Sequence, residues 1–254
     1  MPRQPEGPPP PPTVQRLRIR YAKRGRLRFA SHRDLARALE RALRRAQIPM
    51  AFSAGFTPHI KISYVGAAPT GAASEAEYLE IGLAERRDPE QVRQVLDAAL
   101  PPDVAVLECL EAGEGTGSLA ERIDASAWRI ELPGVALAEL QGAVAAFLAR
   151  DVVTVARRTK NGLRDVDARA AVSGASASEE AGCAILDVVV RQVTPAVRPD
   201  DVLAALAAVA DLRPPLPSRA VRAAQGRLDD DGTVADPLGP DRAARIPSGE
   251  HAAI

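Results

Sequence analysis

The chain has 254 residues, of which 46% are hydrophobic, so it is long enough to bury the cores of two small domains. Its two cysteines, Cys109 and Cys183, belong to no CxxC pattern, and its longest strongly apolar run, Val202–Ala210, is far too short to cross a bilayer. These features exclude a disulfide scaffold and a membrane span, and with no apolar signal segment at the N-terminus we expect a cytoplasmic protein.

The formal net charge is zero, but the charges are unevenly distributed along the chain. Residues 14–64, here called the basic segment, hold 13 lysines and arginines against two acids, a net charge of +11. The remaining residues must therefore sum to −11. A basic segment of this kind favours polyanions, and RNA is the obvious candidate.

The first half of the chain predicts the element order β-α-β-β-α-β. Arg16, Arg18 and Arg20 alternate with apolar residues, which indicates a strand over 14–21, and the same alternation continues over 26–29. A helix follows, with Ser31 as its N-cap. The remaining predicted elements are strands at 59–65 and 76–83, a helix at 88–100 and a strand at 104–110.

The second half repeats this order. It predicts strands at 126–132, 152–156, 183–190 and 219–223, helices at 137–149 and 199–210, and a polar turn at 157–167. We therefore expect an α+β protein with two tandem ferredoxin-like (βαββαβ) domains, at 14–112 and 120–226. The proline-rich residues 1–13 and the residues 227–254, which lack an apolar period, are predicted to be disordered.

Four arginines recur at helical spacing in the first predicted helix. Arg33, Arg37, Arg41 and Arg44 share one face, opposite a leucine stripe. A solvated helix face is the ordinary interpretation of such a pattern, but that kind of face normally mixes both signs of charge. Crowded like charges repel one another, so this face is also a candidate anion-binding surface.

The strand arginines form a second candidate surface. Arg16, Arg18 and Arg20 are predicted to point outward from the sheet, and Arg28 extends the set. An open sheet face is a familiar RNA platform, and one made of arginines would bind mainly through phosphates, in a salt-sensitive way. A merely basic surface, or a patch for a protein partner, stays open as the alternative.

His59, Lys61 and Ser63 occupy alternate positions of the predicted strand at 59–65. A histidine beside a lysine can bind phosphate, transfer protons near neutral pH, or be purely structural. Ser31 and His32 lie at a helix N-terminus, which attracts anions, although Ser31 can simply cap the helix there.

A second polar cluster runs from Lys160 to Arg169 in the predicted turn of the second domain. We interpret it as a hairpin or strand entry with a possible role beside the basic segment. With three histidines in the whole chain, no metal site is expected, and no cofactor-binding motif is found.

The spacing RxRxxYxKxGxLRFxSHxDLxRxxERAxRRAxxPxxxSxGFxPHxKIS, which begins at Arg16 and includes Ser53, is followed by SEAEYLEI. This pattern resembles a radical-SAM-associated family of unknown function. Related domains form the C-terminal module of cobalamin-binding radical SAM proteins or occur as separate chains. The resemblance implies a standalone module that works with a separately encoded radical SAM protein on tRNA or rRNA, and it supplies no catalytic residues.

We therefore predict an RNA-binding accessory module that presents tRNA or rRNA to a radical SAM modification enzyme. The alternatives are an RNA-processing or RNA-modifying enzyme that uses His59 and Lys61, and a protein-docking subunit that binds no RNA. We also hypothesise that the acidic tail masks the basic segment. The residues predicted to contact RNA or phosphate are Arg16, Arg18, Arg20, Arg28, Ser31, His32, Arg33, Arg37, Arg41, Ser53, His59, Lys61, Ser63, Lys160 and Arg169.

Overall fold

The computed structural model describes residues 11–160 and 162–245, and over these it is a mixed α+β protein, as predicted. The elements in this described part are β1 (Gln15–Lys23), α1 (His32–Arg45), β2 (Ile62–Val65), β3 (Ala73–Leu83), α2 (Pro89–Ala99), β4 (Val104–Glu111), β5 (Ala125–Leu132), α3 (Leu137–Leu148), β6 (Thr154–Thr159), β7 (Gly162–Asp167), α4 (Ala168–Ala171), β8 (Val172–Glu180), β9 (Cys183–Arg191), α5 (Pro199–Ala210), β10 (Arg219–Gly226) and α6 (Gly239–Arg245). No helix among these residues is long and apolar enough to span a membrane.

The described residues divide into two compact units. The first contains residues 11–70, 76–121 and 237–245, and the second contains residues 71–75 and 122–236. The sequence predicted domains at 14–112 and 120–226 and left the residues after 226 outside both. The structure instead places residues 237–245 in the first unit. The ferredoxin-like arrangement of each domain stays a prediction.

In the first unit the strands lie in the order β4-β1-β3-β2, with β1 antiparallel to β4 and β2 antiparallel to β3. As predicted, Leu17, Ile19 and Tyr21 face the hydrophobic core, which also holds Leu35 and Leu39 of α1. Burial of these apolar side chains is what fixes the orientation of β1 and α1, because the opposite orientation would expose them to water.

Residues 25–29 form a turn of 3-10 helix, and the strand predicted over 26–29 is therefore wrong. Gly25 has φ of +49°, and a side chain there would collide with the Asp103 carboxylate. That carboxylate accepts a hydrogen bond of 2.8 Å from the Arg26 backbone N–H. The turn therefore depends on a glycine and on a distant aspartate, which a two-residue alternation cannot indicate.

In the second unit the main strands lie in the order β10-β5-β9-β8, and β6 and β7 form a separate hairpin. Sequence analysis missed β8 because its sequence, VSGASASEE, is polar and rich in small residues. Pairing with β9 along its length holds it in the sheet all the same. The backbone hydrogen bonds of an edge position stabilise a strand that has little propensity of its own.

The tail predicted to be disordered from residue 227 contains ordered structure, and over its described part that prediction is wrong. Residues 239–245 form α6, and Leu238 is fully buried. Arg242 makes two hydrogen bonds, of 2.6 and 2.7 Å, to the Glu108 carboxylate on β4. At the other end of the chain, Thr13 is part of the structure, while residues 1–10 and 246–254 lie outside the described residues.

Candidate nucleic-acid interface

The outer face of α1 is a row of exposed arginines: Arg33, Arg37, Arg41 and Arg44. In the part of the chain that the structure describes, none of their guanidinium groups has a hydrogen-bond or ion-pair partner. Elsewhere in the first unit, Arg86, Arg87 and Arg93 each pair with a glutamate. The predicted basic face therefore exists, and its charge is not neutralised by the residues described around it.

Ser31 is the N-cap of α1, as predicted. Its Oγ accepts a hydrogen bond from the Asp34 backbone N–H at 3.2 Å and donates one to the Asp34 carboxylate at 2.7 Å. The positive end of the helix thus already holds a carboxylate, which opposes the binding of a second anion. A phosphate contact by Ser31 stays a prediction, and its observed role is to begin the helix.

His32 is exposed, but its ring packs edge-on against Tyr64 of β2, with the ring centroids 5.1 Å apart. The Tyr64 hydroxyl donates a hydrogen bond of 3.4 Å to the Ala36 carbonyl of α1. Burial, together with the nearby charge of Glu40, raises the pKa of Tyr64. These contacts fix the beginning of α1 against the end of β2 and leave the arginine face of α1 outside.

The loop that precedes β2 is closed by its own hydrogen bonds. The Ser53 N–H donates to the His59 carbonyl at 2.8 Å, and the His59 N–H donates to Ser53 Oγ at 3.1 Å. Gly55 allows the turn, with φ of +132°. His59 therefore ends this loop and does not lie on a strand, because β2 begins only at Ile62.

The imidazole of His59 is exposed and makes no hydrogen bond or ion pair to any of the described residues. Lys61 is also exposed, and its Nζ donates a hydrogen bond of 2.8 Å to Thr13 Oγ1. Among the described residues, neither side chain forms a hydrogen bond or an ion pair with an acid or a base. Acid–base chemistry by this pair stays a prediction without support from the geometry.

Three of the four phenylalanines of the chain are exposed, and all three lie in the basic segment. Phe29 is 60% exposed, Phe52 41% and Phe56 68%. The Arg28 guanidinium lies over the Phe29 ring, 4.7 Å from its centroid. Sequence analysis missed these aromatics. The available signal was that Phe56 stands among serine, glycine, threonine and proline, outside any apolar period.

The prediction that Arg18 points outward as a phosphate ligand is wrong, because this residue is only 3% exposed. Its guanidinium donates hydrogen bonds to Asp241 at 2.7 Å, to Glu80 and Thr116 at 3.0 Å, and to the Gly117 carbonyl. Burial by itself lowers the pKa of Arg18, but the hydrogen bonds to Asp241 and Glu80 more than offset this and raise it. Helix α6 therefore takes up the centre of the proposed arginine platform.

The neighbouring arginines of β1 differ from Arg18. Arg20 is half-buried, and Arg16 is exposed, with no partner for its side chain among the described residues. Arg16 lines a cleft of ≈ 380 Å³ together with Lys61 and Ser63. The structure thus brings together three of the predicted phosphate ligands at the N-terminal end of β1.

Two predicted ligands belong to the second unit. Lys160 is exposed in the hairpin of β6 and β7, as expected. Arg169 is half-buried, and its guanidinium donates hydrogen bonds to the carbonyls of Val172 and Leu148, at 3.0 and 3.4 Å. It also lies over the Phe147 ring, 6.0 Å from the centroid. These contacts give Arg169 a structural role, and an RNA contact by either residue stays a prediction.

Within residues 11–160 and 162–245, no three histidine, cysteine, aspartate or glutamate side chains converge as metal ligands. Cys109 is buried in the core of the first unit, and burial, with the nearby charges of Glu90 and Asp88, raises the pKa of its thiol to about 12. The exposed arginines, phenylalanines and the cleft of Arg16 are thus the features of the first unit that face solvent with unused binding capacity.

Residues 16–199 match a family described as an uncharacterised protein conserved in bacteria, DUF2344. This match extends over more than half of the chain, so the chain belongs to that family. It confirms the predicted membership of a family of unknown function, while the link to radical SAM proteins stays a prediction. No curated protein matches the sequence.

Among solved structures, the chain has a weak similarity to an unknown protein from Galdieria sulphuraria. The two share 12% identity with a TM-score of 0.23, over 81% of this chain and 95% of that one. A DyP-type peroxidase from Mycobacterium smegmatis, in its encapsulated form, shares 11% identity with a TM-score of 0.21, over 88% of this chain and 93% of that one.

Proposed function

We propose that this member of the DUF2344 family is an RNA-binding accessory module of the cytoplasm that presents tRNA or rRNA to a separate radical SAM enzyme. The observation that carries the RNA-binding part is the exposed face of α1, where Arg33, Arg37, Arg41 and Arg44 lack partners among the described residues. The radical SAM partner is proposed from the sequence resemblance alone.

Acids of the first unit form ion pairs away from the arginines of α1. Glutamates of this unit pair with Arg86, Arg87 and Arg93. The two acids within α1, Asp34 and Glu40, form no ion pair with the arginines beside them among the described residues. Like charges one helical turn apart destabilise an isolated helix. A polyphosphate would remove this repulsion and release its own counterions, so it is the class of partner that gains most from the surface.

The exposed phenylalanines support RNA over a simple polyanion. Bases stack on exposed aromatic rings, typically at about 1–3 kcal/mol per base, and they can do so only where they are unpaired. Phe29, Phe52 and Phe56 lie in the two loops before α1 and β2, within the same basic segment. We therefore propose that the RNA is bound at a loop, bulge or end, where phosphates and unstacked bases are both available.

The order of elements also supports this proposal. In the first unit, β1-α1-β2-β3-α2-β4 with strand order β4-β1-β3-β2 is the arrangement expected of a ferredoxin-like domain, a fold that hosts many RNA-binding modules. Because α6 occupies the sheet at Arg18, we place the RNA on α1 and the two loops and not on the centre of the sheet. Fold similarity alone does not establish function, so the argument depends on the arginines and phenylalanines.

The test compares two triple variants in binding to total cellular RNA across a salt series, with sequencing of the retained RNA. Arg33→Ala, Arg37→Ala and Arg41→Ala remove unpaired charges from α1, whereas Arg86→Ala, Arg87→Ala and Arg93→Ala remove three charges that are already paired. We expect the α1 triple variant to lose at least tenfold in affinity and to reduce the slope of log K against log salt by about 2. The second triple variant should change both values much less.

Equal losses in the two triple variants would show that only net charge matters, and absence of RNA retention by the wild type would contradict the proposal. Retention of a radical SAM protein without any RNA would replace it with the protein-docking function. Phe56→Ala tests the stacking step separately, and we expect it to weaken binding to an unpaired RNA by about tenfold. Leu163→Ala, which removes an equally exposed apolar side chain of the second unit, is the matched control.

A further inference from the structure

The end of β1 opens into a cleft of ≈ 380 Å³ in the first unit, apart from the outer face of α1. It is lined by Thr13, Arg16, Lys61, Ser63, Glu80 and Gly82. We infer that this cleft is a binding site for a phosphomonoester, carried either by a free nucleotide or by the end of an RNA chain.

The charges in the cleft favour an anion. Arg16 and Lys61 form no ion pair with the described residues, so they bring two positive charges to a site of small volume. Glu80 is the acid there, and its carboxylate is held by the Arg18 guanidinium at 3.0 Å. Because the Arg18 guanidinium also pairs with Asp241, this one cation faces two acids. With Arg16 and Lys61 the cleft therefore keeps a net positive charge, which attracts the charge of about −1.5 to −2 on a phosphomonoester at pH 7.

The donors in the cleft suit the geometry of phosphate. Arg16 presents a planar guanidinium, Lys61 a point charge, and Ser63 and Thr13 hydroxyl groups. Lys61 Nζ is held at 2.8 Å from Thr13 Oγ1, so its position is already fixed before a ligand binds. A tetrahedral group with three acceptor oxygens can use these donors together, whereas a planar carboxylate has only two oxygens.

Gly82 lets two of the residues that line the cleft pack closely over β3. A Cβ atom at this position would lie 3.0 Å from Thr13 Cγ2 and 3.2 Å from Lys61 Cβ, closer than such atoms ordinarily approach. The missing side chain therefore allows Lys61 and Thr13 to meet across β3. The resulting volume lies within the usual range for small-molecule sites, and it suits one nucleotide.

The experiment measures binding of uridine 5′-monophosphate, inorganic phosphate and uridine to the full chain by calorimetry. We expect the two phosphate-bearing probes to bind and uridine not to bind. Arg16→Ala and Lys61→Ala should each weaken binding of the nucleotide about tenfold, as expected for the loss of a charge-assisted hydrogen bond. Arg93→Ala removes the same charge from α2 of the same unit, outside both proposed binding surfaces, and should leave the affinity within about twofold.

Gly82→Ala tests the shape of the cleft without changing its charge. Its expected effect is a several-fold loss of nucleotide affinity with an unchanged circular dichroism spectrum. If this variant does not fold, Arg16→Ala and Lys61→Ala still decide the question. Equal binding of uridine and its monophosphate, no binding of either phosphate probe, or equal losses in Arg16→Ala and Arg93→Ala would overturn the site.

A pair of short RNAs with the same sequence, one with a 5′-phosphate and one with a 5′-hydroxyl, distinguishes the two sources. Tighter binding of the phosphorylated RNA, lost in Arg16→Ala, would assign the site to RNA ends, and equal binding of both RNAs would assign it to free nucleotides. The site does not rest on the proposed α1 interface. Loss of RNA binding in the α1 triple variant with nucleotide binding intact, or the reverse, separates failure of one from failure of the other.

Discussion

Arg16 and Arg18 stand two residues apart on the same face of β1, yet they differ completely in burial and in partners. Their common face could be predicted from the alternation of polar and apolar residues. Their different surroundings could not, because both acids that the Arg18 guanidinium contacts are distant in sequence, Glu80 by 62 residues and Asp241 by 223. Burial of a charged side chain depends on such distant partners, and no local pattern in the sequence encodes them.

The buried pair of Arg18 and Asp241 should be important for stability. Asp241 is completely buried, and its carboxylate also accepts hydrogen bonds from the Gly113 N–H and the Thr116 hydroxyl, both at 3.0 Å. We expect Asp241→Asn to lower the free energy of unfolding by about 3 kcal/mol, because the Arg18 charge would stay buried with only Glu80 to offset it. Denaturant titration measures this, and Asp230→Asn, an exposed tail position, is the control.

A change of less than about 1 kcal/mol in Asp241→Asn, equal to that in Asp230→Asn, would show that α6 is only loosely held.

The same measurement bears on the hypothesis that the tail masks the basic segment. In the described part of the tail, Asp241 covers Arg18, and Arg242 binds an acid on β4. Removal of the tail is therefore expected to destabilise the first unit before it unmasks any anion-binding surface.

The two cysteines should differ in reactivity. Cys109 is buried, and its pKa is raised to about 12, so at pH 8 almost none of it is the reactive thiolate in the folded protein. Cys183 is half-buried. We expect iodoacetamide at pH 8 to modify Cys183 first and to reach Cys109 only as the first unit unfolds, with mass spectrometry of the digested protein as the measurement. Equal rates at the two thiols would contradict this burial.

At the scale of elements, helices with clear end signals were the most predictable. The boundaries of α5 agree with the predicted 199–210, because Pro199 opens the helix and an apolar period continues to its end. By contrast, β8 has no apolar period, and the 3-10 turn at residues 25–29 has the alternation of polar and apolar residues that is typical of a strand. These two elements owe their conformation to a neighbouring strand and to the Asp103 carboxylate, which are tertiary effects.

Helix α1 provides the test of the two roles predicted for Ser31. As an N-cap it should contribute about 1 kcal/mol, so Ser31→Ala should lower the free energy of unfolding by about that amount. Ser31→Thr keeps the hydroxyl that accepts from the Asp34 N–H and donates to the Asp34 carboxylate, so it should retain most of the stability. Thermal unfolding of the two variants measures the difference.

If Ser31 also binds phosphate, Ser31→Ala should weaken RNA binding at a temperature where both proteins are fully folded. We expect no such loss, because the Asp34 carboxylate already occupies the beginning of α1. A reduction in affinity comparable to that of the α1 triple variant would restore the predicted anion site at this helix end. The capping role would then be only part of the function of this serine.

At the scale of the whole molecule, the sequence predicted the distribution of charge well and the aromatic contribution poorly. The net +11 of residues 14–64 follows from counting, and the exposed arginines of α1 confirm that much of it faces solvent. The exposure of Phe29, Phe52 and Phe56 could not be counted in this way, because a phenylalanine is buried by default. The exposure of these three rings depends on the conformation of the loops that carry them.

A neutral chain with oppositely charged regions should attract its own copies. We expect the full chain to self-associate at low ionic strength and to dissociate as salt is added above about 0.1 M, where the Debye length falls to about 10 Å. Sedimentation velocity across a salt series measures this. The interaction needs the unpaired arginines of α1 on one copy and the acidic remainder of the chain on another.

The two triple variants distinguish this mechanism from a simple effect of net charge. Arg33→Ala, Arg37→Ala and Arg41→Ala should abolish the salt-sensitive association, whereas Arg86→Ala, Arg87→Ala and Arg93→Ala, with the same final net charge, should retain most of it. Added RNA should disperse the wild-type complexes by competing for the same arginines. Association that resists salt, or that responds equally to both triple variants, would place the contact elsewhere and remove self-association as a competitor of RNA binding.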